Sequence, residues 1–476
     1  MTLNIPDAAL LGALATRLGP RGFTTDQDDI APWLTDWRGR VTGKAAALLS
    51  PANADEVADA VRMAAAAGVA IVPQGGNSSM VAGATPDASG NALLLSTRRM
   101  RAIRSVSVAD GVAVAEAGVI LSELHDAAEA QGLRFPLSLA SKGTATIGGL
   151  ISTNAGGTQV LRFGPMRALT LGIEAVLPDG SRFEGLSALR KDNRGYDLRQ
   201  LLAGAEGTLG IITAASLRLV PAVGRRAVAW VGLASPADAL ALLRRIEAAT
   251  GEMVESFELV PADGLELVLR HIPGTRAPLA GPHRWHVLIE AVASAAAADP
   301  GEALGLAIAA AIEDGHAEDA TLAASEAQAD ALWMLRESMS EAERIDGIAA
   351  KHDVSVPVST MPGFIVSARE VVEKAFPGAR VLAFGHLGDG NVHFNVRAPA
   401  GARDWLAGEG KAVSSLVHDL TVAADGSISA EHGIGQTKLA EYARLGAPAR
   451  LAAQRAIKQA LDPRGIMNPG KLIPGG

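Results

Sequence analysis

Ala145-Thr-Ile-Gly-Gly-Leu-Ile-Ser-Thr-Asn-Ala-Gly-Gly-Thr158 is free of charged side chains and carries two glycine pairs. Each glycine costs a helix interior roughly 1 kcal/mol relative to alanine, so this stretch reads as too glycine-rich for an ordinary helix, with a backbone that must approach something closely. Two more clusters lie nearby, Pro73-Gln-Gly-Gly-Asn-Ser-Ser79 and Gly204-Ala-Glu-Gly-Thr-Leu-Gly210. The first offers successive bare N–H groups and hydroxyls, which is what a pyrophosphate needs from a loop. Taken alone, it reads equally as a tight turn after a strand. Three clusters in one domain suggest a long ligand laid across the fold, whereas a mononucleotide normally needs one.

The surroundings are those of an α/β unit. Ala46–Leu49 reads as a strand, Asp55–Ala67 as a helix opened by Asn53 and Glu56 and stopped by Gly68, and Val69–Val72 as a second strand. Leu171–Leu177 is strand-like and ends in the turn Pro178-Asp-Gly, and Leu217–Val220 ends at Pro221, a candidate boundary. Beyond it, helical patterns at 236–249, 302–313, 324–346 and 438–460 alternate with apolar strands near 285–292, 354–358 and 380–385, predicting a second α+β domain. No fixed-period repeat is visible.

Composition narrows the function. A chain of 476 residues predicts roughly two or three domains and room to bury a large cofactor. Its net charge of -8, with Arg98-Arg-Met-Arg101 as the densest basic run, argues against nucleic acid as a partner. The absence of cysteine removes disulfides, thiolate zinc sites and cysteine-ligated iron–sulfur clusters, so any metal must sit on His, Asp or Glu. Met1-Thr-Leu-Asn-Ile-Pro-Asp7 lacks a signal-peptide pattern and no stretch approaches about 18 apolar residues, so a cytoplasmic protein without a membrane span is expected. Nucleotide signatures fail: no Gly-x-Gly-x-x-Gly opens a helix after a strand, and the P-loop-like Gly465 to Lys471 has Leu472 where Ser or Thr would bind magnesium.

The clearest chemistry lies in Phe384-Gly-His386-Leu-Gly-Asp-Gly-Asn-Val-His393-Phe-Asn395. Gly388 and Gly390 argue for a turn between two strands, across which both imidazoles can converge, with Asp389 a turn residue. Ser427-Ile-Ser-Ala-Glu431-His432-Gly-Ile-Gly435 adds a carboxylate and a third imidazole. Two His and one Glu suit a catalytic zinc or similar divalent ion, although by spacing alone they also read as isolated polar residues on separate loops. Arg336 and Ser340 lie one helical turn apart and would share a face, with Lys351 at the start of the next strand. A solvated helix face is the plain alternative.

These segments, in this order, resemble the FAD-linked oxidases related to vanillyl-alcohol oxidase, and within them the D-2-hydroxyglutarate, D-lactate and glycolate dehydrogenases. The likeness covers about residues 35 to 472. It rests on the three glycine clusters, Gly385–His393, Glu431–Gly435 and Asp462-Pro-Arg-Gly-Ile-Met-Asn-Pro-Gly-Lys471. It implies an α+β chain: a two-subdomain FAD-binding domain over 1–221 with an N-terminal helical extension to about 34, a ferredoxin-like substrate- and metal-binding domain over 222–432, and a helical segment over 433–476 returning to the flavin. By the same resemblance, Pro73, Gln74, Gly75, Gly76, Asn77, Ser78, Ser79, Gly148, Ser152, Asn154, Gly157, Glu206, Gly207, Ile212 and Asn468 would hold FAD. His386, His393 and Glu431 match ligands of a divalent metal, with zinc the expected ion, and His432 the base. Arg336, Ser340, Lys351 and Asn395 match substrate contacts, with Ser340 standing where threonine is expected. Relatives that tether their flavin use a His in the glycine loop or another dedicated residue. This loop lacks a His and the chain has no Cys, which implies noncovalent FAD.

The mechanism so implied has the 2-hydroxyl and carboxylate of a D-2-hydroxy acid chelate the metal while His432 takes the hydroxyl proton and hydride passes from C2 to the flavin. D-2-hydroxyglutarate or D-malate is favoured over D-lactate or glycolate, because Arg336, Ser340 and Lys351 offer partners for a second carboxylate. Electrons would leave to an electron-transfer flavoprotein, a quinone or a partner subunit, and a homodimer is expected. The rivals are a metallohydrolase using the same His/His/Glu set and a flavin-free subunit of a larger oxidase.

Overall fold

The computed structural model describes residues 3–189 and 191–474. Arg190 and the outermost residues of both expected terminal segments lie outside the described residues. The chain divides into two compact units, one made of 1–157, 163–222 and 431–476, the other of 158–162 and 223–430.

Among the described residues the first unit holds two main sheets and a short pairing of Leu133–Arg134 with Val220–Pro221. In the smaller of the main sheets, Ala47–Leu49, Leu93–Ser96 and Ile71–Gln74 run parallel, and Phe23–Thr24 pairs antiparallel at one edge. The centres of its parallel strands are apolar because both faces are covered. Leu49, Ile71, Leu93 and Leu95 pack on Val57, Val61 and Ala64 of the helix Ala54–Ala67, while Leu48, Val72 and Leu94 meet Ile30 and Leu34. The expected cap forms: Asn53 accepts from Glu56 N at 2.9 Å, and Gly68 closes the helix at φ 67°. At the free edge Ile71 N donates to Ile466 O and Asn468 N to Ile71 O, both at 2.8 Å, so the C-terminal segment extends this sheet. The larger sheet is antiparallel, in the order Ile103–Ser107, Val112–Glu116, Ile211–Arg218, Thr170–Val176, Arg182–Gly185.

One expectation needs correction here. Ile147–Thr153, within the glycine-rich stretch, is helical. Gly148 N donates to Ala117 O at 2.8 Å, and a Cβ on Gly148 would stand 2.7 Å from the Ala117 Cβ. Close helix-on-strand packing offsets the propensity cost. The helix ends at Asn154, left-handed at φ 50°, whose Oδ1 accepts from Arg167 N at 2.9 Å.

The second unit is built on one antiparallel sheet, in the order Asp319–Leu322, Arg225–Leu233, Trp285–Ala293, Val254–Pro261, Arg380–His386, Asn391–Arg397, Ala349–Ser355. Its first four strands in that order stand fourth, first, third and second in the chain, with helices Pro236–Thr250 and Pro300–Glu313 between them, which is the ferredoxin-like arrangement. Phe257, Ile289, Ala383, Val392, Phe394 and Val354 point into one core with those two helices and with Met361–Ala375 and Trp405–Ala423. On the other face Trp230, Leu288, Val260 and Phe384 pack beneath Ala262–His271 and Glu326–Glu337. The helix expected over 324–346 parts at Ser338 into Glu326–Glu337 and Met339–Asp346. That expected over 438–460 parts into Leu439–Leu445 and Pro448–Leu461, because Pro448 can only open a helix. Among the described residues no helix is long and apolar enough to cross a membrane.

Candidate active site

Sheet register assembles the sheet-borne residues of the site in the second unit. Glu258 stands opposite His386, His386 opposite Asn391, Phe384 opposite His393, Asp353 opposite His393 and Lys351 opposite Asn395. Opposed residues share a face. Phe394, Val392 and Val354, one position away, fill the core on the other side. The period of two that packs the core thus lines up the polar groups. It also explains why the strand expected near 354–358 lies at Ala349–Ser355: its alternation of Lys351 and Asp353 with Ala350, His352 and Val354 follows the sheet, while the apolar-run reading started too late.

The turn after His386 brings the two imidazoles together, with ring centroids 5.5 Å apart at 77°. Gly390 is required in it: φ is 80°, and a Cβ would stand 2.1 Å from Val356 O. Asp389 accepts from Asn391 N at 3.0 Å, as a turn residue does. His386 Nδ1 lies 2.7 Å from Glu258 Oε1. An ionised carboxylate only accepts, so Nδ1 carries a proton toward Glu258. Burial works to raise the Glu258 pKa, but His386 and Arg336 outweigh it and hold the carboxyl at about 2. His393 Nδ1 is 3.9 Å from Asp353 Oδ1, which also accepts from Asn391 Nδ2 at 2.9 Å. Ala430 N donates to Asp353 O at 3.4 Å, and Glu431 and His432 follow directly in the chain. His386 and His393 stand in the second unit, and Glu431 opens the last segment of the first. A neutral-imidazole and carboxylate set of this kind fits a divalent ion, and the Glu258 hydrogen bond is the outer support such a histidine needs.

The remaining polar residues fall into two carboxylate-centred groups, neither foreseen from sequence. Arg336 is 8% exposed and directs Nη2 to Glu258 Oε2 at 2.8 Å, near enough for an ion pair though not aligned as a hydrogen bond. Its guanidinium carbon sits 4.9 Å from the Phe384 ring centroid. Lys351 Nζ is 2.9 Å from Glu343 Oε2, which also accepts from Asn395 Nδ2 at 2.9 Å. Burial pushes the Glu343 carboxyl upward, opposed by Lys351 and Asn395. Ser340 is exposed, and its carbonyl accepts from Lys351 at 3.4 Å. The expectation that Arg336 and Ser340 share a helix face is therefore corrected: they sit on different helices, one residue buried and the other exposed.

In the first unit the glycine clusters meet one another. A Cβ on Gly76 would stand 1.8 Å from Thr144 O, one on Gly75 2.2 Å from Thr146 Oγ1, one on Gly157 2.0 Å from Ser138 O, and one on Gly207 2.4 Å from the Pro73 ring. Several side chains expected at a cofactor are committed to holding these loops. Gln74 donates to Trp33 O and Ala84 O, Asn77 to Thr35 O, Ser152 to Gly148 O, and Ser79 Oγ accepts from Val81 N and Gly83 N. Buried Glu206 accepts Ile434 N and Gly435 N, both at 2.8 Å; burial raises its pKa and the two N–H groups oppose that. Buried Ile212 sits where the strand Ile211–Arg218 shifts register.

The backbone is what these loops leave available. The main-chain N–H groups of Gly75, Gly76, Asn77 and Ser78 find no acceptor among the described residues, and Asn77 between them is left-handed at φ 51°. Such a run suits an anion. Asn77, Ala82, Asn154, Glu206 and Asn468 all have positive φ, and strain of this kind gathers at ligand-binding loops. Asn468 donates to Gly83 O and Glu206 O, while its buried Oδ1 has no hydrogen-bond partner. The loops fit a phosphate-bearing cofactor.

Comparison with known proteins agrees with this geometry. Residues 45–185 match the model of the FAD binding domain, and residues 224–472 that of the FAD linked oxidases, C-terminal domain. The chain is 38% identical over 97% of its length to the mitochondrial D-2-hydroxyglutarate dehydrogenase of Bos taurus, covering 83% of that protein. It is 37% identical to the D-2-hydroxyglutarate dehydrogenase of Xanthomonas citri pv. viticola, covering 94% of this chain and 93% of that one. Among solved structures, alkyldihydroxyacetonephosphate synthase superposes with a TM-score of 0.74 at 16% identity, covering 98% of this chain and 87% of that one. p-Cresol methylhydroxylase gives 0.73 at 14%, with coverages of 98% and 96%. At those identities the likeness is one of fold.

Proposed function

We propose, on the premise that this chain belongs to the FAD-linked oxidases, that it oxidises D-2-hydroxyglutarate, or a close 2-hydroxy dicarboxylate such as D-malate, to the 2-oxo acid with the help of a divalent metal. The observation that carries the reading is the pairing, on one sheet face, of two metal-competent imidazoles with Arg336 and Lys351, in a chain similar over nearly its whole length to D-2-hydroxyglutarate dehydrogenases.

FAD would lie along the loops 73–79 and 148–157, the segment Glu206–Ile212 and Asn468, held noncovalently, and when bound it supplies the hydride acceptor. His386, His393 and Glu431 would hold a divalent ion such as zinc, which would supply the positive charge that acidifies a bound hydroxyl. The chain's own residues do the rest. Arg336, Lys351 and Ser340 bind the carboxylates of the substrate, with Asn395 fixed beside Lys351 by Glu343. His432 takes the hydroxyl proton as C2 gives up its hydride, which balances the two-electron oxidation of alcohol to ketone. The electrons leave to an external acceptor: an electron-transfer flavoprotein, a quinone or a partner subunit.

The test is anaerobic mixing of the purified yellow protein with D-2-hydroxyglutarate, followed by flavin absorbance. Bleaching is expected, as is release of the flavin by acid. His432→Asn should slow bleaching about 10²-fold or more, as for other lost general bases. A colourless protein that FAD does not reconstitute overturns the flavin assignment, and unchanged bleaching in His432→Asn moves the base elsewhere.

A further inference from the structure

A single carboxylate, Glu258, touches both kinds of group that the proposed chemistry needs. It lies in Val254–Pro261, a strand buried along its whole length, and is 0% exposed. Placing an ionised carboxylate there is unfavourable by several kcal/mol unless both oxygens are compensated. The compensation comes from two site residues. Oε1 meets His386 Nδ1 at 2.7 Å and Oε2 meets Arg336 Nη2 at 2.8 Å. The circuit then closes on itself: Arg336 lies over Phe384 at 4.9 Å, Phe384 is 5.1 Å from the His393 ring, and His393 is 5.5 Å from His386. Neither imidazole nor the guanidinium can turn without disturbing this ring of contacts.

We infer that Glu258 is a positioning residue that couples metal binding to substrate binding, by fixing the His386 ring with one oxygen and the Arg336 guanidinium with the other. The inference rests on the reading of His386 as a metal ligand and Arg336 as a carboxylate partner. Holding Nδ1–H turns the Nε2 lone pair toward the site, and holding Nη2 sets the plane of the guanidinium fork. A carboxylate performs both tasks because its charge is shared between two oxygens, one accepting from the imidazole and the other paired with the guanidinium. An amide in its place offers one acceptor and one donor, and the donor would face a cation. An aspartate keeps the charge but is one methylene short, so it cannot span both partners.

The experiment compares zinc affinity, by competition with a chromophoric chelator, in wild type, Glu258→Gln, Glu258→Asp and His386→Asn, alongside melting temperature and the KM for D-2-hydroxyglutarate. Loss of such an outer support lowers metal affinity about 10- to 100-fold. That fall is expected in both Glu258 variants, together with a raised KM, while the folded proteins keep their flavin. Should Glu258→Gln fail to fold, Glu258→Asp carries the test. A folded variant that binds zinc as wild type does, whatever its melting temperature, overturns the coupling and leaves the metal reading standing. A wild-type protein that takes up zinc no better than His386→Asn overturns the metal reading itself, and this inference with it.

Discussion

Arg336 already has a partner inside the protein, so a substrate carboxylate must share it with Glu258. Its buried Nε lacks a hydrogen-bond acceptor among the described residues, which leaves one edge of the fork for another anion. If that anion is the distal carboxylate of D-2-hydroxyglutarate, Arg336→Ala should lower kcat/KM for the dicarboxylate by about 10- to 100-fold, the loss of one bond to a charged group worth roughly 1.5–3 kcal/mol, and should affect D-lactate less. Equal losses on both substrates would place Arg336 at the carboxylate they share. Residues at this scale were unevenly legible. The two imidazoles and Gly390 sit in a motif whose glycines announce a turn between strands, whereas Glu431 sits in a separate one and by spacing alone the three also read as isolated polar residues. Glu258 and Glu343 carry no spacing signal, because a buried carboxylate is defined by the cation across the sheet. The cue lay in Val254-Glu-Ser-Phe-Glu-Leu-Val-Pro261: carboxylates in so apolar a strand demand partners.

At the level of elements, period and punctuation were reliable where both were present. The helices Ala54–Ala67 and Pro236–Thr250 carry their caps in sequence, and the strands Trp285–Ala293 and Arg380–His386 stand out as apolar runs. The division at Ser338 has neither Gly nor Pro to mark it. The strand Trp285–Ala293 also makes a prediction of its own. Burial, with His283 beside it, lowers the His286 pKa from 6.5 to about 4, so the folded protein holds this ring neutral. Its contribution to stability is present above about 6.5 and is lost as the pH falls from there towards 4, amounting to a few kcal/mol at about 1.4 kcal/mol per pKa unit. His286→Phe, which keeps an aromatic ring beside Trp230, should therefore lose less melting temperature than wild type between neutral and acidic pH. Parallel pH profiles would show that His286 is not the group responsible.

For the whole molecule, the return of a segment over 433–476 to the flavin is an expectation the resemblance supplies, while nothing in the order of motifs shows that 158–162 belong with the second unit. The loops proposed for FAD and the histidines proposed for the metal belong to different units. Prolonged chelation should therefore abolish turnover while the yellow colour stays, with zinc, cobalt or manganese restoring activity. A metal-stripped protein that reduces its flavin at the native rate would refute the role given to the metal. The discontinuity also has a temporal side. A ribosome releases the chain from its N-terminus, so Ile71 offers its edge long before Ile466 and Asn468 exist to occupy it, and Glu206 waits through a shorter stretch for Ile434 and Gly435. Throughout synthesis of residues 223–430 the nascent first unit presents an open strand and an unfilled carboxylate, a window in which chaperones or mispairing with a neighbouring nascent chain compete with the last segment to arrive.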